Sequence, residues 1–180
     1  AATVNSGTAD TTIKGNATVA GALGVTTSTG AINVGDSDHK YTLSSTGSTT
    51  TIHTTSGGAI EINGIAKSLN GTGTSISTNN TSAANIKVTG SVSSTGDSGN
   101  TSIKTNNGTI AVDGGVSSAK GSVEVGTTTG TITIGTSSAA ANVSAGTTAG
   151  ITSTNSDITV YGNVESGTGT KVQTSNSSTD

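Results

Sequence analysis

Short apolar strings recur along the chain, separated by stretches rich in Gly, Ser, Thr and Asn. The segment from Val25 to Val34 superposes without a gap on the segment from Val125 to Ile134, and their apolar positions coincide. Within each string, apolar and polar residues alternate, which is typical of a β-strand with one buried face. Ile, Val and Thr also favour strands over helices. The pattern therefore predicts many short strands and no amphipathic helix.

The strings follow a long-range repeat with a mean period of about 24 residues. A third string follows a glycine in several repeats, as at Gly90, Gly114 and Gly162. A unit of this size cannot bury its apolar face alone, so successive units must stack on one another. The first anchors of the repeats are Val4, Val25, Ile52, Ile76, Ile103, Val125, Ile151 and Val172.

Stacking of these units predicts an all-β fold, a single-stranded parallel β-helix. We expect about seven coils with three short strands each, and one solenoid domain over residues 1–180 without evident caps. Parallel strands about 4.8 Å apart make such a rod roughly 34 Å long. Right-handed winding is the default for parallel crossovers. The predicted core columns are Val25, Ile52, Ile76, Ile103, Val125 and Ile151, and Ile32, Ile60, Ile86, Ile110, Ile132 and Ile158.

Small polar residues occupy equivalent positions after the first anchor. We expect them to form a structural ladder of hydrogen bonds from coil to coil, as stacked Asn side chains do in cross-β structures. A column of mostly Gly before the second anchor, including Gly30 and Gly108, predicts a tight corner. The predicted polar ladder contains Thr27, Thr54, Thr78, Thr105, Thr127, Asn80, Asn107 and Asn155.

Composition narrows the possible functions. Ser and Thr make up 67 of the 180 residues, whereas Cys, Pro, Met, Trp, Phe and Arg are absent. The lack of Cys excludes a disulfide framework and a thiol nucleophile. No apolar run approaches the roughly 20 residues of a membrane-spanning helix. Seven Lys and a net charge of −3 offer no basic patch for nucleic acid.

The sequence shows no convincing constellation for catalysis, for a cofactor or for a metal ion. The densest polar cluster, Asp36-Ser-Asp38-His39, lacks further ligands at a recognised spacing, so we interpret it as a solvated loop. His53 follows an anchor directly and should point outward. Glu61 and Lys87 occupy equivalent outward positions in neighbouring repeats, where they could form a surface ion pair.

Two segments carry a family resemblance, the one from Ser102 to Val116 and the one from Asp157 to Val164. They resemble the repeats of large secreted adhesins of the filamentous-haemagglutinin type. The resemblance implies a right-handed parallel β-helix outside a bacterial cell, at its surface. It also implies contact with a host or a neighbouring cell.

The repeat runs from Val4 to Val172 without a cap, so we expect copies of the protein to stack head to tail. The chain starts Ala-Ala-Thr, as it would after removal of a signal peptide. The resulting hypothesis is a secreted, non-enzymatic filament subunit or shaft segment. Alternatives are an ice-binding solenoid, a viral tail-fibre segment, a carbohydrate-cleaving enzyme and a disordered linker. Ice binding requires an outward Thr array, whereas the regular Thr column has the parity of the buried anchors.

Overall fold

The computed structural model describes residues 1–79 and 83–175. These residues form 22 strands and no helix. The strands belong to three sheets, and every strand pairing within them is parallel. The predicted β-solenoid is therefore confirmed, with about seven coils of roughly 24 residues and three strands per coil.

Each coil contributes one strand to each sheet in turn. The first sheet contains β1 (Ala2–Asn5), β4 (Leu23–Thr27), β7 (Thr50–Thr54), β10 (Gly73–Thr78), β13 (Asn100–Thr105), β16 (Val123–Thr127), β19 (Thr148–Ser153) and β22 (Gly169–Thr174). The second sheet contains β2 (Thr11–Ile13), β5 (Ile32–Val34), β8 (Ile60–Ile62), β11 (Ile86–Val88), β14 (Ile110–Val112), β17 (Ile132–Ile134) and β20 (Ile158–Val160). The third sheet contains β3 (Ala17–Val19), β6 (Tyr41–Ser45), β9 (Gly64–Ser68), β12 (Val92–Ser94), β15 (Val116–Ser118), β18 (Val143–Ala145) and β21 (Val164–Ser166).

The register places equivalent residues of successive coils directly opposite one another. Ile76 pairs with Ile52 on one side and with Ile103 on the other. Because the side chains of a strand alternate between its two faces, this register turns each sequence position into a continuous column. Uneven turns absorb the variable repeat length, so the columns persist although the spacing along the sequence varies.

The apolar columns fill a narrow core between the three sheets. The anchors of the first sheet from Val25 to Ile151 are fully buried. In the second sheet the column is buried from Ile32 to Ile132, whereas Ile158 of the last coil is only half-buried. A residue in this core needs a coil on each side of it, and Ile158 has a described neighbour on one side only.

Close backbone contact explains the glycine column at the first corner. A Cβ atom placed on Gly108 would lie 1.9 Å from the carbonyl oxygen of Ala84 in the preceding coil. Gly30, Gly58 and Gly130 are in the same situation. Stacked corners therefore approach one another so closely that this column holds glycine or a small residue such as Ala84, because the solenoid repeats at the spacing of paired strands.

Outward positions carry polar side chains and a few ion pairs. Lys87 Nζ lies 3.3 Å from Glu61 Oε1 in the adjacent coil, which confirms the predicted pair. A second pair joins Lys104 Nζ to Glu124 Oε2 over 2.8 Å. All four side chains are about half exposed, so each pair contributes less than about 1 kcal/mol to stability.

Candidate functional site

The solenoid consists of stacked columns and two end coils, and the end coils are our candidate for a functional site. The first end coil presents β1, β2 and β3, and the last presents β20, β21 and β22. Each of these six strands lies at the edge of its sheet. Edge strands carry backbone N–H and C=O groups that can pair with a further strand. The contacts between coils inside the solenoid show which side chains and backbone groups such a further strand would contact.

The Thr column lies inside the solenoid, at the corner between the first and second sheets. Thr54 Oγ1 donates a hydrogen bond to the carbonyl of Gly58 over 2.8 Å, and Thr127 Oγ1 donates to the carbonyl of Gly108 over 2.9 Å. Thr27 donates to the carbonyl of Gly30 in the same way. The principal acceptors are thus corner carbonyls, not the neighbouring side chains that a cross-β ladder would use. The hydroxyls satisfy backbone groups that the corner removes from the sheets.

Among the described residues of this column, a direct side-chain bond between coils occurs at Thr78 and Thr105. Thr78 Oγ1 donates to Thr105 Oγ1 over 2.8 Å, and Thr105 Oγ1 donates to the carbonyl of Ala84 over 2.9 Å. The predicted Asn positions lie further out on the corner, where Asn107 is half-buried and Asn155 is exposed. Asn107 Oδ1 accepts a hydrogen bond over 3.2 Å from Thr129 Oγ1 of the following coil, as the predicted ladder requires. Asn80 lies outside the described residues. The predicted ladder therefore divides into an inner Thr column and an outer corner position.

The structure contains a second buried column of hydroxyl groups, which the sequence did not predict. At the corner between the third and first sheets, Thr50, Thr74 and Thr101 are almost fully buried. Each donates over 2.7 Å to a backbone carbonyl of the third sheet in its own or a neighbouring coil. The sequence signal was a Thr two residues before the first anchor. It was hidden because Thr is abundant throughout the chain.

A set of Asp and Asn side chains also went unnoticed. Four of these residues directly precede a strand and the fifth, Asn100, is the first residue of β13. Each side-chain oxygen accepts a hydrogen bond from the backbone N–H at the same position of the following coil. The donor–acceptor distances lie between 2.7 and 3.0 Å. We call these five residues the Asx acceptors: Asp10, Asn16, Asn85, Asn100 and Asn142.

Exposure of the end coils differs sharply from that of the interior. Val4 of the first coil is 43% exposed and Val172 of the last coil is 50% exposed, although both continue the first anchor column. Asp157 and Asn163 of the last coil occupy the positions of Asx acceptors, and both are exposed. The end coils therefore present apolar surface, strand edges and side-chain acceptors together.

The Asp36–His39 segment forms a turn that is held by its own side chains. Asp36 Oδ1 accepts hydrogen bonds from the backbone N–H groups of Asp38 and His39 and lies 2.9 Å from His39 Nδ1. The hydrogen bond with the His39 side chain lowers the pKa of the Asp36 carboxyl below its usual value. Within residues 1–79 and 83–175, no group of three His, Cys, Asp or Glu side chains is placed to hold a metal ion.

A shallow groove of about 520 Å³ lies on the outer face of the first sheet near the last coils. Its floor is formed at Gly150, and the side chains of Glu124 and Lys171 flank it in register. None of the described residues that line it is aromatic. In the part of the chain that the structure describes, no helix could cross a lipid bilayer.

Comparison with known proteins identifies no matching family model, no significantly similar curated protein and no significantly similar solved structure.

Proposed function

We propose that this protein is a non-enzymatic structural protein, a subunit or segment of an extracellular surface filament or adhesin shaft. Its copies stack end to end so that the solenoid continues from one to the next. The observation that carries this proposal is the constant register of the columns from β1 to β22. Every coil presents the strand edges and side-chain columns on which the next coil stacks, and both end coils present them as well.

The energetics of the end coils support stacking. Val4 and Val172 are the large aliphatic side chains whose exposure is highest among the described residues. Covering both removes apolar surface from water at about 25 cal/mol per Å². The same contact pairs the edges of three sheets at once, which provides directional hydrogen bonds in addition to apolar burial.

Placement outside the cell is supported by the resemblance of the repeats to secreted adhesins. A role as a shaft also fits a surface of small polar side chains and exposed ion pairs. The outward column beside the first anchor contains Thr26, His53, Ser77 and Lys104 in successive coils. Such a mixed column is not the flat Thr array that ice binding requires.

Electron microscopy and sedimentation velocity of the purified 180-residue chain test the proposal. We expect rods much longer than the roughly 34 Å of seven coils, with a length distribution that shifts upward as concentration rises. A single monomeric species at all concentrations up to the millimolar range would contradict the proposal.

A pair of variants separates end stacking from other self-association. Val172→Lys places a charge on the exposed end of the core column and should abolish the rods. Gln173→Lys adds the same charge one residue further along β22, on the outward face of the strand, and should leave the rods intact. Equal effects of the two substitutions would contradict a joint through the end coils.

A further inference from the structure

From the Asx acceptors we infer the geometry of the joint, an inference that rests on the proposed function. Asp157 and Asn163 of one copy accept hydrogen bonds from the backbone N–H groups of Asp10 and Asn16 of a second copy. The joint is head to tail and in register, and it pairs β22 with β1, β20 with β2 and β21 with β3. The partner is thus a second copy of this chain, held by these two side-chain hydrogen bonds.

The internal Asx hydrogen bonds all have the same direction along the solenoid. In all five Asx acceptors the side chain reaches toward the following coil and never toward the preceding one. Asn85 accepts from Thr109, and Asn142 accepts from Asn163, in each case across one coil boundary. The polarity follows from parallel strands, since every coil presents its N–H groups at these positions in the same sense.

The register of the sheets places two side chains of the last coil in the same columns. Asp157 continues the column of Asp10 and Asn85. Successive strand pairings through the second sheet align Thr11 with Ile158, so the residues before them are aligned as well. Asn163 continues the column of Asn142, because Val143 pairs with Val164. These two side chains therefore occupy acceptor positions at the last coil, where the described solenoid supplies no following coil. In a second copy, the groups at those positions are the N–H groups of Asp10 and Asn16.

The side chains of the two end coils are compatible in this register. Val172 lies over Val4, and the remaining apolar columns also continue. Lys171 lies over Thr3 and so meets no like charge. The joint would place these pairs in contact: Val172 with Val4, Val160 with Ile13, Val164 with Ala17, Lys171 with Thr3, and Glu165 with Thr18.

Two contacts oppose the joint and make it testable. Asp157 lies over Asp10, so two carboxylates come within about one strand spacing of each other. Ala9 lies over Ser156 at the corner where internal coils have a glycine in at least one of two stacked positions. Asp157→Asn keeps the acceptor and removes the charge, and Ala9→Gly removes the crowded Cβ atom. Both substitutions should lower the concentration at which rods form.

Disulfide cross-linking tests the register directly, because the chain contains no Cys. Thr3→Cys combined with Lys171→Cys places the two thiols on outward faces of β1 and β22 that the joint pairs. In paired strands the Cα atoms lie within the range that a disulfide spans, whereas the two positions within one chain lie about 34 Å apart. Mild oxidation should therefore produce a ladder of covalent oligomers on a non-reducing gel.

The matched control shifts one thiol along the strand. Thr3→Cys combined with Gln173→Cys displaces the pair by two residues, about 6.6 Å, and should cross-link at least tenfold more slowly. Lys171→Cys alone should give no covalent dimer, because a head-to-tail joint keeps the last coils apart. Efficient dimers from the single variant would show a tail-to-tail joint and overturn the inference. So would equal rates for the two double variants.

The two proposed hydrogen bonds of the joint are tested by removing their side-chain acceptors. Asn163→Ala should raise the critical concentration for rod formation roughly fivefold, which corresponds to about 1 kcal/mol. Asp157→Ala should raise it by the same factor relative to Asp157→Asn, since neither variant has the carboxylate that repels Asp10. Asn85→Ala deletes the same kind of bond inside the solenoid and should lower thermal stability while leaving the critical concentration of the folded protein unchanged. Unchanged assembly in both end variants would overturn the assignment of these two hydrogen bonds to the joint.

The two proposals fail in distinguishable ways. Absence of rods in the unmodified protein overturns the proposed end-to-end filament together with this joint. Rods that form normally but cross-link in another register overturn the joint alone.

Discussion

The middle coils and the end coils have the same sequence pattern but very different surroundings. Ile103 in the middle has no exposed surface, whereas Val172 at the same position of the last coil is 50% exposed. The difference arises because a coil of this size is too thin to bury its own side chains. Burial comes from the coils above and below it.

Polar residues show the same contrast. Thr105 is buried and exchanges hydrogen bonds with the neighbouring coil and the corner. Thr174 occupies the equivalent position in the last coil and is exposed. A Thr in this column is therefore a structural group only where neighbouring coils surround it. The comparison predicts that one substitution will have very different effects in the two regions.

The largest difference is expected for the apolar anchor. Ile103→Ala should lower the free energy of unfolding by about 4 kcal/mol, because it leaves a cavity in a packed column. Val172→Ala should cost less than about 1 kcal/mol, since half of that side chain already contacts water. Urea unfolding followed by circular dichroism, at concentrations below rod formation, measures both. Similar losses would show that the end coil is covered in solution.

A smaller difference is expected at the corner before the third sheet. A Cβ atom on Gly114 would lie 2.5 Å from the carbonyl oxygen of Gly90, whereas one on Gly15 of the first coil would meet no atom within 4 Å. Gly114→Ala should therefore cost about 2 kcal/mol through overpacking. Gly15→Ala should change the stability by no more than about 0.5 kcal/mol. Thermal unfolding of the two variants decides whether close stacking explains the glycine at this corner.

The smallest difference is expected for the buried hydroxyl. Thr105→Val keeps the shape but removes the donor to the carbonyl of Ala84 and the acceptor for Thr78, at a cost of about 1.5 kcal/mol. Thr174→Val, in the exposed end coil, should be neutral within about 0.5 kcal/mol. Amide hydrogen exchange at Gly108 and neighbouring corner residues offers a local measure. Faster exchange at the corner is expected for Thr105→Val alone.

Much of the fold could be predicted because the anchors repeat with Ile or Val at each coil. The alternation around Ile132 and Ile134 indicated a strand, and its recurrence at a regular interval indicated stacking. The hydrogen-bond partners could not be predicted. A Thr such as Thr54 has a hydroxyl that fits a neighbouring hydroxyl or a carbonyl equally well, and only the path of the corner at Gly58 selects the carbonyl.

The Asx acceptors illustrate the same limit. Asn142 and Asn163 are separated by a full coil, and nothing in the intervening residues indicates that the side chain of one binds the backbone of the other. Asn is also common in this chain, so a single Asn before a strand has little statistical weight. The arrangement became visible once the register had placed the two residues at the same height.

The strand pattern, the period, the core columns and the small corner residues could all be predicted from the amino-acid sequence. These follow from local alternation and from the volume that a repeated layer can hold. The tertiary structure alone decided which groups meet across coils, because parallel register joins residues more than 20 positions apart. It also places Asp157 and Asn163 at positions that Asx acceptors occupy in the preceding coils, because the parallel register continues into the last coil.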